Sequence, residues 1–315
     1  LAFVDSDARL RRPWLRALLN RIDRPGVGAT TGYRWFVPSR PTLPNHLLYS
    51  VNSHIAVLFG SHCPTIVWGG SWAIRRERFE ALGIRAAWAD TLSDDLVASR
   101  RLRRARLRVL FEPGCMVTSP ADVTFQGLLA FVRRQYLMGR WYVPVGWTFA
   151  LLMTTFVNLS SLVSAAVFVG ALATGFMAPW IPAGICAALY LLSLFGGLLR
   201  QDVALSYFPL LHGRLREARR FEIWSGPLVA LVNWTGLLAS AVGSRIRWRG
   251  IAYTVAHKGR VTAVDREDET VRQTPSDAET PNLPEQPNQP AVLPLLPARP
   301  RDGAEQKAIP RRRCA

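Results

Sequence analysis

Residues 147–199 read WTFALLMTTFVNLSSLVSAAVFVGALATGFMAPWIPAGICAALYLLSLFGGLL and contain no Asp, Glu, Lys, Arg or His. A run this long and this apolar finds its solvent in a bilayer, because about 20 apolar residues as a helix cross the hydrocarbon core once. Gly175, Pro179 and Pro182 break the run, since glycine favours a turn and proline ends or kinks a helix. Two spans, at about 147–174 and 179–199, are therefore expected as a hairpin. A second uncharged run, 225–244, has the length of a third span.

Outward from this core the chain is polar, which holds the mean hydropathy to +0.10 despite the two apolar runs. The formal net charge of +17 is carried almost wholly by arginine, Lys258 and Lys307 being the sole lysines. Such a balance calls for anionic partners. Beside membrane spans these are anionic phospholipid headgroups and a phosphate-bearing substrate, rather than nucleic acid. Arg200, Arg214, Arg216, Arg219 and Arg220 follow the second span, and the positive-inside rule puts that loop in the cytoplasm with the first half of the chain. Four cysteines without paired spacing fit a reducing compartment. The preference for arginine over lysine is associated with GC-rich bacterial genes, hence a bacterial inner membrane.

Residues 1–122 alternate short apolar strands with helices, over Leu1–Val4, Arg12–Ile22, Gly26–Tyr33, Arg75–Leu82, Asp94–Arg104 and Leu107–Phe111. This predicts part of an α/β domain, and an opening inside a strand reads as the C-terminal half of a longer one. Residues 123–146 are rich in aromatics and arginine, as in a helix lying along a membrane surface. A transmembrane region is expected over 147–255. From 256 to 315 the chain holds nine prolines between Pro275 and Pro310 and few aromatics, predicting a disordered tail.

Four short elements carry candidate chemistry. Asp5-Ser6-Asp7 ends the first strand, where α/β sheets bind ligands, and paired carboxylates suit Mg²⁺ or Mn²⁺ bound with a diphosphate; a solvated turn or helix cap reads equally well from these residues alone. Asp94-Asp95 opens a helix, either as favourable N-terminal charge or as the seat of a general base. Between them Gly69-Gly70-Ser71 leads into an apolar strand and Arg75-Arg76, a turn or a place where backbone approaches a ligand. Arg133-Arg134-Gln135 and Arg140-Trp141 then precede the first span, as an interfacial anchor or as groups for a leaving diphosphate and an acceptor.

In this order and spacing the elements resemble the membrane-bound family 2 type glycosyltransferases, nearest in pattern to the ceramide glucosyltransferase group. That family carries a strand-end D-x-D, a G-x-S-x-A-x-R-R segment, an acidic pair ending in the catalytic base, and an R-Q or (Q/R)-x-x-R-W element before its C-terminal spans. Here these read Asp5-Ser6-Asp7, Gly69 to Arg76, Asp94-Asp95, and Arg134-Gln135 with Arg140-Trp141 at a longer spacing. Ile246-Arg247-Trp248-Arg249-Gly250 to Tyr253 resembles the family's W-R-G-x-x-Y element after the spans.

The resemblance implies a GT-A fold and inverting transfer of a sugar, glucose from UDP-glucose, to a membrane lipid hydroxyl such as that of ceramide. Asp5 and Asp7 would hold the metal, Asp95 would be the base and Asp94 would shape the pocket. Gly69, Gly70, Ser71, Arg134, Gln135, Arg140 and Trp141 would contact substrate. It also implies that the nucleotide-binding half precedes Leu1, without which this stretch would be inactive. Two other readings stand beside it: a processive polysaccharide synthase of the same superfamily, and a non-catalytic lipid-binding membrane protein.

Overall fold

A computed structural model describes residues 1–5, 8, 10–59, 66–175, 178–248 and 250–266. Asp7, Arg249 and the proline-rich stretch from 267 onward lie outside the described residues.

The first half is mixed α/β. One sheet has the order β1 (Ala2–Val4), β4 (Ser71–Ile74), β2 (Val27–Thr31), β5 (Arg108–Phe111). Strand β4 runs antiparallel to both neighbours, whereas β2 and β5 are parallel. Every residue of β2 and β4 is buried, as expected of short apolar runs covered on both faces. A separate parallel pair joins β3 (Arg34–Pro38) to β6 (Val117–Ala121). Helices α1 (Trp14–Leu19), α2 (Leu43–Ala56), α3 (Arg76–Ala81), α4 (Ile84–Ala87) and α5 (Asp94–Arg104) surround these strands. Trp72, at the centre of β4, stacks on Phe3 at 4.4 Å and packs with Phe79, Ile84 and Leu102. This cluster seats α5 on the sheet and thereby fixes the height of its N-terminus beside β4.

Helix α6 (Phe125–Tyr142) occupies the stretch expected along a membrane surface, but its apolar side faces protein. Leu128, Val132 and Leu137 are buried, and Tyr136 donates to Asn233 Oδ1 at 2.7 Å. The partner is α10 (Gly226–Ala241), whose Gly236 lets Val132 and Tyr136 approach; any Cβ there would collide with them.

Helices α7 (Pro144–Thr174) and α8 (Trp180–Tyr207) are long and apolar enough to cross a membrane. At 1.5 Å per residue their 31 and 28 residues span about 46 and 42 Å. Their outward side chains, among them Phe149, Phe156, Leu162, Leu192 and Phe195, are large and apolar. Gly175 ends α7 in the left-handed conformation, at φ +61°, as the sequence requires.

The helices differ from the expected span bounds in two places. The second helix does not stop at 199 but continues through Arg200 and Asp202, because Arg200 finds Glu222 of α9 (Arg216–Trp224) at 2.6 Å. The third run forms a helix of only 16 residues, about 24 Å, and meets α9 at an 81° bend where Ser225-Gly226-Pro227 interrupts the helix. It therefore crosses a membrane only if α9 and α10 together form one broken span.

The expectation of a tail from 256 is corrected over its first residues. β7 (Arg245–Trp248), β8 (Ile251–Val255) and β9 (Val261–Arg266) form an antiparallel sheet. Val261 N–H donates to Asp90 O at 2.7 Å, which ties this sheet to the loop before α5.

Candidate active site

The site is built around the start of α5. Ser93 caps the helix, its Oγ accepting from Leu96 N–H at 3.4 Å, so Asp94 and Asp95 occupy the first turn, where the helix dipole favours negative charge. Asp95 Oδ1 accepts from Leu96 N–H at 2.7 Å and from the Ser93 hydroxyl. Its Oδ2 accepts from Gly69 N–H at 3.1 Å. Ser99 reinforces the arrangement by donating to Asp95 O and accepting from Val67 N–H at 2.8 Å. The glycine segment and the helix start are thus one rigid unit.

Gly69 and Gly70 separate the two acidic elements. A Cβ at Gly69 would stand 3.4 Å from Asp94 Oδ1 and 3.5 Å from Asp95 Oδ2. One at Gly70 would stand 2.5 Å from Asp5 Oδ2 and would collide with the ring of Trp68. Asp5, at the end of β1, donates its backbone N–H to Gly70 O at 3.4 Å. Asp5, Asp94 and Asp95 are therefore brought to one place by two residues that lack side chains. Asp94 is exposed as a residue, yet protein atoms around its carboxyl push it above the ordinary carboxylate range, and the charge of Asp95 adds to the effect.

Arg134, on α6, is held by aromatic contacts. Its guanidinium lies 5.5 Å from the Phe131 ring and 5.7 Å from the Trp248 ring, joining the R-Q element to the W-R-G element across the spans. Gln135, beside it, is exposed. Tyr142 OH accepts from Leu92 N–H at 3.0 Å and donates to Gly259 O at 2.7 Å, so α6 and the β8–β9 connection both hold the loop that delivers the acidic pair.

Four residues singled out in the sequence are engaged elsewhere. Ser71 is fully buried, its hydroxyl accepting from the Trp14 indole at 2.8 Å and donating to Cys115 O. Arg140 donates to Ala241 O and Gly243 O, and Arg133 to Ala239 O at 3.0 Å, so together they satisfy the open carbonyls at the end of α10. Trp141 is buried with Val97, Leu137, Ile246 and Val255.

Sequence reasoning passed over Tyr33 and Arg34, which stand beside Trp68. Burial pushes the Tyr33 phenol up to about 12, the Arg34 charge opposing and the Asp95 charge adding to the shift. The available signal was a single arginine inside the apolar run Tyr33 to Val37.

Among the described residues no three His, Cys, Asp or Glu side chains cluster as a metal site. Asp5 supplies one hard oxygen donor of the kind Mg²⁺ or Mn²⁺ takes, with its motif partner Asp7 outside those residues.

No curated protein matches the chain in sequence. The family model described as glycosyl transferase family group 2 matches residues 1–211, a stretch that holds β1, the glycine pair and the acidic pair together with α6 and α7. That is more than half of the 315 residues, and the chain belongs to this family: it is a family 2 glycosyltransferase.

Proposed function

We propose that this glycosyltransferase moves one sugar, glucose in the first instance, from a nucleotide-diphosphate donor to the hydroxyl of a membrane lipid such as ceramide, with inversion. The observation that carries the reading is the convergence of Asp5, Asp94 and Asp95 on the Gly69-Gly70 pair, in a domain that leads directly into two apolar helices. A lipid acceptor leaves a bilayer at a cost of about 0.8 kcal/mol per CH₂, so its enzyme works at the membrane surface. The six arginines between Arg100 and Arg108 suit anionic headgroups there.

In this mechanism Asp95 is the base. Gly69 N–H, Leu96 N–H and the Ser93 hydroxyl hold its carboxylate in one orientation. It takes the proton of the acceptor hydroxyl as that oxygen bonds to the anomeric carbon. The bond from that carbon to the diphosphate oxygen breaks on the opposite face, and the nucleoside diphosphate departs with the electron pair. Asp5 with Asp7 would hold Mg²⁺ or Mn²⁺, which when bound neutralises charge on the diphosphate. Arg134 faces the leaving group or the lipid headgroup, and Gln135 lies beside it. The catalytic domain, on this account, is on the cytoplasmic side.

A second assignment of the base is favoured by one observation. Asp94 is more exposed than Asp95, accepts the backbone N–H of Asp95, and has its carboxyl raised. Replacing each by Asn separates the two, since the true base loses transfer by orders of magnitude and the other residue far less.

The product identifies the reaction. Incubating the complete protein in lipid vesicles with UDP-glucose and ceramide should yield, by mass spectrometry, a lipid heavier by one hexose. A ladder of hexose units would instead establish a polysaccharide synthase.

A further inference from the structure

Arg34 opens β3, paired in register with Val117 of β6. Its guanidinium carbon lies 4.7 Å from the centre of the Phe36 ring, 5.7 Å from Phe131 and 5.8 Å from Trp68. Three aromatic side chains thus hold one half-buried cation. Its Nε is buried with no hydrogen-bond acceptor, and among the described residues no carboxylate pairs with it. Two other arginines drawn into the protein are paired with carboxylates, Arg21 with Glu112 at 2.9 Å and Arg200 with Glu222 at 2.6 Å, whereas Arg219 Nε is, like Arg34 Nε, buried without an acceptor but has no such ring of aromatic contacts among the described residues. A buried Nε–H without an acceptor is costly, and ring faces offset only part of that cost.

The position of this cation indicates what completes it. Trp68, against which Arg34 rests, also abuts Gly70, and Gly70 abuts the carboxylate of Asp5. The Phe131 ring is shared with Arg134. Two guanidinium groups therefore converge on one ring at the edge of the acidic site.

We infer that Arg34 is an anion-binding residue of the transfer site, its guanidinium fork receiving phosphate oxygens of the nucleoside diphosphate as the sugar departs. This rests on the proposed transfer from a nucleotide-diphosphate donor. Arginine suits the task because its planar fork bonds phosphate in two places and keeps its charge at every working pH. The charge it meets grows as the bond to the sugar breaks, so the contact is strongest where it lowers the barrier.

The test uses the complete protein in lipid nanodiscs, titrated with UDP, GDP and dTDP, and compares wild type with Arg34→Gln and Arg34→Lys. The nucleoside diphosphate that wild type binds should bind about tenfold or more weakly to Arg34→Gln, the loss of one charge-assisted contact, and several-fold more weakly to Arg34→Lys. The KM for ceramide should stay within about twofold, as that acceptor carries no phosphate. Unchanged nucleoside diphosphate affinity with a raised KM for a polyprenyl phosphate acceptor would assign the anion to the lipid and overturn the donor assignment. Equal affinity in all three proteins overturns the role altogether. Should Arg34→Gln fail to fold, Arg34→Lys decides alone, unchanged binding counting against the inference. A wild type that binds none of the three diphosphates overturns the transfer reading itself, and the inference with it.

Discussion

Gly69 N–H donates to Asp95 Oδ2 at 3.1 Å, across 26 positions of sequence. This bond fixes the orientation of the acidic pair relative to the end of β1, and it needs the backbone of residue 69 to lie against a carboxylate. The same closeness recurs one residue on, where Gly70 faces Asp5.

Gly70→Ala should therefore abolish most transfer. Its Cβ would stand 2.5 Å from Asp5 Oδ2 and would press on the Trp68 ring, so either Asp5 or Trp68 must move. Because a displacement of about 1 Å at a reacting centre can cost on the order of a hundredfold in rate, kcat should fall at least tenfold. A variant with wild-type kcat would show that Asp5 has no part in the site.

A pH-dependent loss of stability should trace to His54 in α2. Its Nδ1–H donates to Ser50 O at 2.7 Å, and burial, with the charge of Arg200 beside it, lowers its pKa to about 4. Unfolding restores the ordinary value near about 6.5, so between these values the unfolded chain binds the proton and the folded chain does not. The stabilising contribution is whole above about pH 6.5 and declines as pH falls towards 4. Thermal unfolding midpoints across this window should fall more steeply for wild type than for His54→Gln.

Glu222 should be the most sensitive position among the helices. Its fully buried carboxylate accepts from Arg200 and Ser53, each at 2.6 Å, and from Gln201, which in turn accepts from Tyr49 OH at 2.6 Å. Removing one partner of such a buried network leaves a charge without compensation, at about 3–5 kcal/mol. Arg200→Ala should lower the unfolding midpoint sharply and loosen α2 from α8, seen as faster amide exchange in α2. An unchanged midpoint would mean that the network adds nothing to the fold.

How far the sequence revealed this arrangement varied with the chemistry of each segment. The helix Asp94–Arg104 was legible to the residue, because a serine cap and two acids precede an arginine-rich face. The long apolar run announced α7 and α8 by composition alone. Helix α2 was not visible, since its buried side includes Asn45, Ser50, Asn52 and Ser53, which blur the apolar period. Those side chains instead serve the backbone: Asn52 Oδ1 accepts from Phe36 N–H and Asn45 Oδ1 from Val123 N–H. The β7–β9 sheet was hidden for a related reason, with Arg245, Arg247, Asp265 and Arg266 on exposed strands.

The site followed the same division. The family resemblance implied that Asp5, the glycine pair and Asp94-Asp95 share a site, and the fold sets them near one another, their roles there being those proposed above. Sequence could not distinguish arginines that stand near the acidic pair from those that close a helix, because both lie in basic, aromatic sequence. Arg140 and Trp141 are spent on α10 and on the core, while Arg34, one of many arginines, stands by the acidic site.

The central claim is that Asp95 acts as the base of a sugar transfer, and the most direct measurement is the single-turnover rate of hexose transfer from UDP-glucose to ceramide by the complete protein and its Asp95→Asn variant. With nucleoside diphosphate affinity and unfolding midpoint both matched to wild type, the variant should be slower by about a hundredfold to ten-thousandfold, the usual contribution of a positioned base. A variant that transfers hexose at the wild-type rate would contradict the account.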